Sequence, residues 1–399
     1  MENKWQQSVD QKLDRILNDL DFVKNRTATY LGRNEAITYL ADETPIFVNT
    51  DDSGCPLNFI NGGLYEEDYF RVFLSFRDTG LPMLDVGANL GVYSLKMAPH
   101  MRGHEIHAFE PIPRIRNLLS RSAFLNGFSD RICIHPFAVS DRSGVASLAI
   151  PTEHAGGASL ETADQNNCIA VDVKCLDDFF SADFSCGLVK LDVEGHELHA
   201  LRGMRRILGR SPNSIVMFEK LSPNSGIERD IYDFFTGLGW RLYGIEGRVL
   251  VEIGLDGFSV GGGYFIAAPA GRIGRDELNR DFFTVFPSDL NILEGEKDGE
   301  SLCVDITEGQ SRVVFHGPYW WLPRGYYRLS LDGNIDKAAT LDVCEKFGYK
   351  VFELRLEPDR LSIDFPVYRD LAKFELVMRP LTNSRFRAVI RKITLTHLG

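Results

Sequence analysis

Met83-Leu84-Asp85-Val86-Gly87-Ala88-Asn89-Leu90-Gly91-Val92-Tyr93-Ser94 passes from a run of buried-strand character through two glycines into a helical pattern, and this passage decides the fold. Gly87 can take backbone dihedrals closed to other residues, and Gly91 lets the new helix pack close to its strand or a ligand. A dinucleotide fingerprint started at Gly87 would need glycine where Asn89 and Val92 stand, so as to lay a pyrophosphate on the helix start. Instead an acid, Asp85, precedes the first glycine by two residues. A carboxylate there suits a cationic aminoacyl ligand better than a phosphate, which favours S-adenosylmethionine over NAD.

Outward from this loop, residues 82–86, 105–110, 132–139, 188–193 and 214–219 read as strands, and 92–101, 113–126, 196–208 and 228–237 as the helices between them. Alternation of this kind predicts a parallel sheet covered on both faces. After Gly239, residues 240–245, 248–253 and 258–268 read as strands that close the sheet, the last pair antiparallel. The fold class expected is α/β, a doubly wound, mostly parallel, seven-stranded sheet. Upstream, residues 33–40 read as helical, 45–48 as a short strand and 65–76 as an aromatic-rich helix.

Val9, Leu13, Ile16, Leu20 and Val23 mark an amphipathic N-terminal helix over residues 1–26, docked on its own domain or serving as a homodimer seam. The α/β domain then occupies 27–269, a Gly-, Arg-, Asp- and Glu-rich linker 270–298, and a run of short strands 299–399, expected to form a β-sandwich accessory domain. In that last part, aromatics between Pro318 and Arg328 either fill the sandwich or stack on sugar faces.

Composition bounds the partners. A net charge of -12 repels phosphate backbones, so nucleic acid is not an expected partner. No stretch reaches the roughly 20 apolar residues of a spanning helix, and no secretion signal opens the chain. Seven cysteines without a close pair fit reduced thiols and a cytoplasmic location.

The strand that follows the loop ends Ile106-His107-Ala108-Phe109-Glu110-Pro111, which places Glu110 where an acid accepts the ribose hydroxyls of an adenosine. The alternative is a glutamate that caps the helix beginning near Ile112. Together with the loop, these residues resemble the FkbM family of methyltransferases. The matching pieces, in one collinear order over residues 30–268, are Tyr30-Leu31-Gly32, the stretch 63–68, Asp85 to Gly91, Phe109-Glu110-Pro111, Asn126, Ala138-Val139-Ser140, Cys175-Leu176-Asp177-Asp178-Phe179 and Val189-Lys190-Leu191-Asp192-Val193-Glu194-Gly195-His196-Glu197. The resemblance implies a Rossmann-like class I methyltransferase domain that takes S-adenosylmethionine at the carboxyl ends of its first strands. Asp85, Gly87, Ala88, Asn89 and Gly91 would line the methionine and ribose, Glu110 the ribose, and Ala138 with Val139 the adenine. Asn126 would bond near the adenine or merely end its helix. More weakly, residues 318–328 resemble a turn in β-sandwich modules of bacterial glycan-modifying enzymes.

Lys190, Asp192 and Glu194 alternate onto one side of their strand, where buried charge is costly unless it serves a site or an ion pair. Methyl transfer to a hydroxyl needs a base, for which Asp192, Glu194, His196, Glu197 and Glu219 are candidates, with Asp192 and Glu219 preferred. His196 also reads as a helix cap. Such carboxylates can hold Mg²⁺, but no metal is expected; His196 with His199, and His104-Glu105-Ile106-His107, both miss zinc-motif spacing. Residues 154–159 read as a lid or a loose loop.

The expected activity is O-methylation of a small-molecule or carbohydrate-like acceptor. The rivals are an inactive methyltransferase-fold scaffold that binds glycan or protein through its β domain, and an NAD-dependent oxidoreductase, disfavoured by the glycine spacing.

Overall fold

Four residues in a row are fully buried in both Met83–Val86 (β4) and Leu188–Leu191 (β10), as expected of parallel strands with helices on either side. The computed structural model describes residues 28–398 apart from short internal stretches, the longest being 152–156, 161–167, 221–225, 275–281 and 308–312. The amphipathic helix expected over 1–26, with its dimer reading, lies outside the described residues, as do residues 154–156 of the loop at 154–159. The described residues divide into two compact units, one spanning 28–40 with 44–280 and the other 281–398 grouped with 41–43.

The first unit is built on a sheet of eight strands rather than the expected seven. In spatial order they are Val249–Ile253 (β13), Trp240–Glu246 (β12), Gly263–Pro269 (β14), Ile215–Lys220 (β11), β10, β4, Ile106–Phe109 (β5) and Ile132–His135 (β6). The five strands from β11 to β6 run parallel and the other three antiparallel. One apolar core, with Met83, Ile106, Leu188 and Met217, covers one face; another, with Leu84, Phe109, Val189 and Phe218, covers the other. The chain leaves β4 towards β5 and β6, then returns to lay β10 on the opposite side of β4. That reversal opens a crevice at the carboxyl ends of β4 and β10, the usual ligand position in such sheets.

Several elements differ from expectation. Residues 33–40 are not helical: Thr29–Gly32 (β1) and Glu35–Tyr39 (β2) form a hairpin that continues to Pro45–Asn49 (β3). Arg33 and Asn34 both take positive φ, 54° and 59°, which makes the two-residue turn that matches strand twist. The run 132–139 breaks after His135, and Ala138–Val139 (β7) pairs instead with Cys168–Lys174 (β9), which also pairs Gly144–Ala149 (β8). The helix expected at 196–208 is interrupted at Met204, and residues 255–260 are helical, so the strand expected from 258 begins only at Gly263.

In the second unit two antiparallel sheets share one apolar core that includes Leu302, Tyr327 and Phe386 from one sheet and Phe315, Leu341 and Leu376 from the other. Residues 282–285, 291–292 and 296–298, expected in a linker, are strands here; Phe282–Val285 pairs with Phe386–His397. Of the aromatics between 318 and 328, Tyr327 is fully buried and Tyr326 exposed. The side chains of 318–321 lie outside the described ones. Among the described residues no helix is long and apolar enough to cross a membrane.

Candidate active site

The glycine loop is held by backbone bonds: Gly87 N and Ala88 N both donate to the Phe109 carbonyl, at 3.2 and 3.0 Å, and Gly91 N donates to Ala88 O at 2.8 Å. Gly87 (φ 78°) lies so close to β10 that a Cβ there would sit 1.8 Å from the Asp192 carbonyl oxygen. Gly91 (φ 82°) has no such room either, since a Cβ would fall 2.0 Å from Leu119 Cδ1. Both glycines thus serve the packing of the loop, and Gly91 does not line the cavity described next. Asn89 takes φ 50°, a conformation asparagine tolerates better than most residues.

Above the loop, at the carboxyl ends of β4 and β10, is a cavity of about 340 Å³. One end is walled by Ala88, Asn89, Phe109, Ile115, Ala138 and Val139, with Glu110 among them. Glu110 is buried; Oε2 accepts from Asn89 N at 3.0 Å and Oε1 from Ile112 N at 2.7 Å. The helix-capping reading of Glu110 is therefore present in the Ile112 bond, yet each carboxylate oxygen keeps capacity for another donor. Burial pushes its carboxyl up to about 7, against the pull of the two backbone N–H groups.

At the other end four carboxyl groups converge: Glu66, Asp192, Glu194 and Glu219, with Lys190 and Tyr93 beside them. Asp192 Oδ2 accepts from Lys190 Nζ and from the Tyr264 hydroxyl, both at 2.8 Å. Burial opposes its charge, but Lys190 and these hydrogen bonds hold the carboxyl below its ordinary range. Burial and the adjacent Asp192 push Glu219 up to about 9, so this pair keeps one proton, on Glu219. Burial, Asp192 and Glu197 bring Glu194 to about 7. Glu194 also takes φ 52°, a left-handed conformation that turns the chain at the following Gly195 (φ 97°). Burial works against the Lys190 ammonium, but Asp192, Asp85 and Glu66 outweigh it and keep it charged.

Not every expected residue meets the cavity. Asp85 lies beneath the loop, where Oδ2 accepts from Ser94 N at 3.1 Å and Ser94 Oγ at 2.6 Å. It is the register partner of Lys190 on the neighbouring strand, which sets both on one sheet face. Its Oδ1 is buried without a hydrogen-bond partner among the described residues. Asn126 is not at the cavity: Nδ2 donates at 2.8 Å to both Pro45 O and Ser122 O, ending helix Pro113–Leu125 and tying it to β3. His196 lines the cavity, its Nε2 2.9 Å from Ser140 Oγ, while Glu197 Oε1 accepts from Val193 N and Gly195 N at 3.2 Å and stays outside.

Glu66, Tyr93 and Tyr264 were missed by sequence reasoning. The Tyr93 hydroxyl donates to Glu66 Oε2 at 2.9 Å, and burial raises the Glu66 carboxyl. Only the acid within the 63–68 stretch gave any signal. Tyr264, on an antiparallel strand distant in sequence, gave none.

Residues 85–242 match the family profile described as the Methyltransferase FkbM domain. The chain carries an FkbM methyltransferase domain. Methyltransferase 1 of Beauveria bassiana (strain ARSEF 2860) is 28% identical over 187 residues, 41% of this chain and 74% of that protein. Methyltransferase sdnD of Sordaria araneosa is 29% identical over 154 residues, 31% of this chain and 60% of that protein. Among solved structures, precorrin-6y C5,15-methyltransferase from Geobacter metallireducens GS-15 aligns with a TM-score of 0.32 and 14% identity over 52% of this chain and 90% of that one, a likeness too distant to carry weight.

The FkbM domain uses S-adenosylmethionine as methyl donor, and the cavity's chemistry fits that molecule. Glu110 offers acceptor oxygens to paired hydroxyls beside an apolar wall of Phe109, Ile115, Ala138 and Val139 suited to a base. The opposite end gathers Glu66, Asp192, Glu194 and Glu219 around a single ammonium, and so offers acceptor oxygens to a cationic amino group.

Proposed function

We propose that this FkbM domain O-methylates a hydroxyl of a small-molecule or carbohydrate-like acceptor, with the acceptor entering at the carboxyl-rich end of the cavity. The observation that carries this reading is the division of one cavity into a nucleoside-like end at Glu110 and a carboxyl-rich end at Asp192, Glu194 and Glu219. S-adenosylmethionine, when bound, supplies an electrophilic methyl group. The chain's own residues would hold Glu110 to the ribose hydroxyls, orient the acceptor oxygen, and remove its proton as the new carbon–oxygen bond forms.

Among the carboxylates Glu194 is the best base. Asp192 is stabilised as an anion by Lys190 and Tyr264 and so has little affinity for a further proton. Glu219 already carries one at neutral pH. Glu194, near 7, is ionised in a useful fraction and gains a proton readily, the match a general base requires. Asp192, Glu219 and Lys190 then act as a fixed hydrogen-bonding group that positions the acceptor.

The test is to incubate the purified chain with labelled S-adenosylmethionine and a panel of hydroxyl-bearing sugars, nucleotide sugars and small polyols, then locate the label. Label on a hydroxyl oxygen supports the reading. Label confined to amine- or thiol-bearing control acceptors, or donor binding without transfer to any acceptor offered, overturns O-methylation.

A further inference from the structure

On the opposite sheet face from Asp85 and Lys190, β5 and β6 bring together side chains that the methyl-transfer site does not use. His107 on β5 and Cys133 on β6 are register partners on neighbouring parallel strands, so their side chains emerge on the same face. Glu105, two residues before His107, alternates onto that face as well. The Glu105 carboxylate oxygen, a His107 ring nitrogen and Cys133 Sγ all lie within 4.8 Å of one another.

The imidazole of His107 is oriented from both sides. Nδ1 is 3.1 Å from His135 Nε2, and Nε2 is 3.5 Å from Glu105 Oε2. The ring meets Phe180 edge-on at a centroid distance of 5.0 Å, which restrains its rotation. Tetrahedral zinc with nitrogen and oxygen ligands at about 2.0–2.2 Å sets those ligands about 3.4 Å apart, close to the 3.5 Å between His107 Nε2 and Glu105 Oε2.

We propose that Glu105, His107 and Cys133 bind one zinc-class divalent cation, with His135 as a positioning residue and a solvent molecule in the fourth place. The donor set of one thiolate, one imidazole and one carboxylate is that of borderline-soft transition metals, not of Mg²⁺ or Ca²⁺. In the metal-bound form His107 Nδ1–H donates to His135 Nε2, leaving the His107 Nε2 lone pair for the cation, the arrangement in which metal-binding histidines are normally held. The Cys133 thiol loses its proton to solvent as the sulfur–metal bond forms, with no change of oxidation state.

Such a clamp would tie the sheet's edge strand β6 to β5, close to where His135 O accepts the Glu110 backbone N–H at 3.1 Å. Zinc motif spacing along the sequence misses this site because Glu105-His107 and Cys133 come from two strands and meet only through parallel pairing.

The experiment uses the full chain, stripped with chelator and titrated with Co²⁺. The expected result is one equivalent bound with a thiolate-to-cobalt charge-transfer band in the near ultraviolet, displaced by Zn²⁺ and lost in Cys133→Ser. A second measurement needs no variant: Zn²⁺ should slow alkylation of the Cys133 peptide at least tenfold while leaving exposed Cys168 unaffected. Cobalt bound without the thiolate band, as the carboxylates of the donor cavity would bind it, overturns the proposal, and so does alkylation of Cys133 that Zn²⁺ does not change.

Discussion

Two side chains carry most of the chemistry argued for the cavity. Glu110 meets backbone N–H groups of both the glycine loop and the following helix and lines the cavity at the end proposed for the ribose. Glu110→Gln should weaken S-adenosylmethionine binding by more than about 1 kcal/mol, the loss expected for a charge-assisted hydrogen bond, read by calorimetry. Unchanged affinity would remove Glu110 from the donor site. Glu194 is expected to act in its ionised form, so with a carboxyl near 7 in the free protein, kcat/KM should rise with pH and level off above about 7. Glu194→Gln should lower kcat by about 10²-fold or more and abolish that rising limb, with donor affinity nearly unchanged. A variant with a full rate would shift the base to another carboxylate. Glu110 was legible from its distance beyond the loop. The ranking of Glu194 above Asp192 and Glu219 was not, because it depends on Tyr264 and Lys190, which only folding brings to Asp192.

Elements place these groups by pairing and by their ends. Helix Pro113–Leu125 begins with a proline at its first position and ends at Asn126, whose amide spans to the carbonyl of Pro45 on β3. Asn126→Ala should cost about 1–2 kcal/mol of stability through the two lost hydrogen bonds and leave S-adenosylmethionine affinity unchanged, measured by denaturant unfolding and calorimetry on the same variant. A loss of donor affinity at constant stability would return Asn126 to the binding site. The same logic explains the hairpin at residues 29–39, which stands where the pattern of 33–40 suggests a helix. Its two turn residues, Arg33 and Asn34, lack the glycine that usually announces such a turn, yet both adopt positive φ.

The molecule as a whole holds two sets of cores: the pair on either face of the eight-stranded sheet, and the single core of the all-β unit. Separate cores should unfold separately. Calorimetry of the full chain is expected to show two heat-absorption transitions, of which S-adenosylhomocysteine at 100 times its Kd raises only one, by about 2.7 kcal/mol in stability. A single transition, or a ligand shift of both, would mean that the two units unfold as one. The alternating strand and helix pattern over 82–219, the loop at Asp85 to Gly91, and the β-rich character after residue 299 could be read from the chain alone, since period and glycine position are local properties. The spatial order of the sheet strands, the placing of 282–298 in the β unit, the retreat of Asp85 beneath the loop, and the meeting of Glu66, Tyr264 and Asp192 were decided by tertiary structure. Each depends on which strands become neighbours and in what register, and that is settled by the burial of whole faces against one another, a quantity no short window of sequence contains.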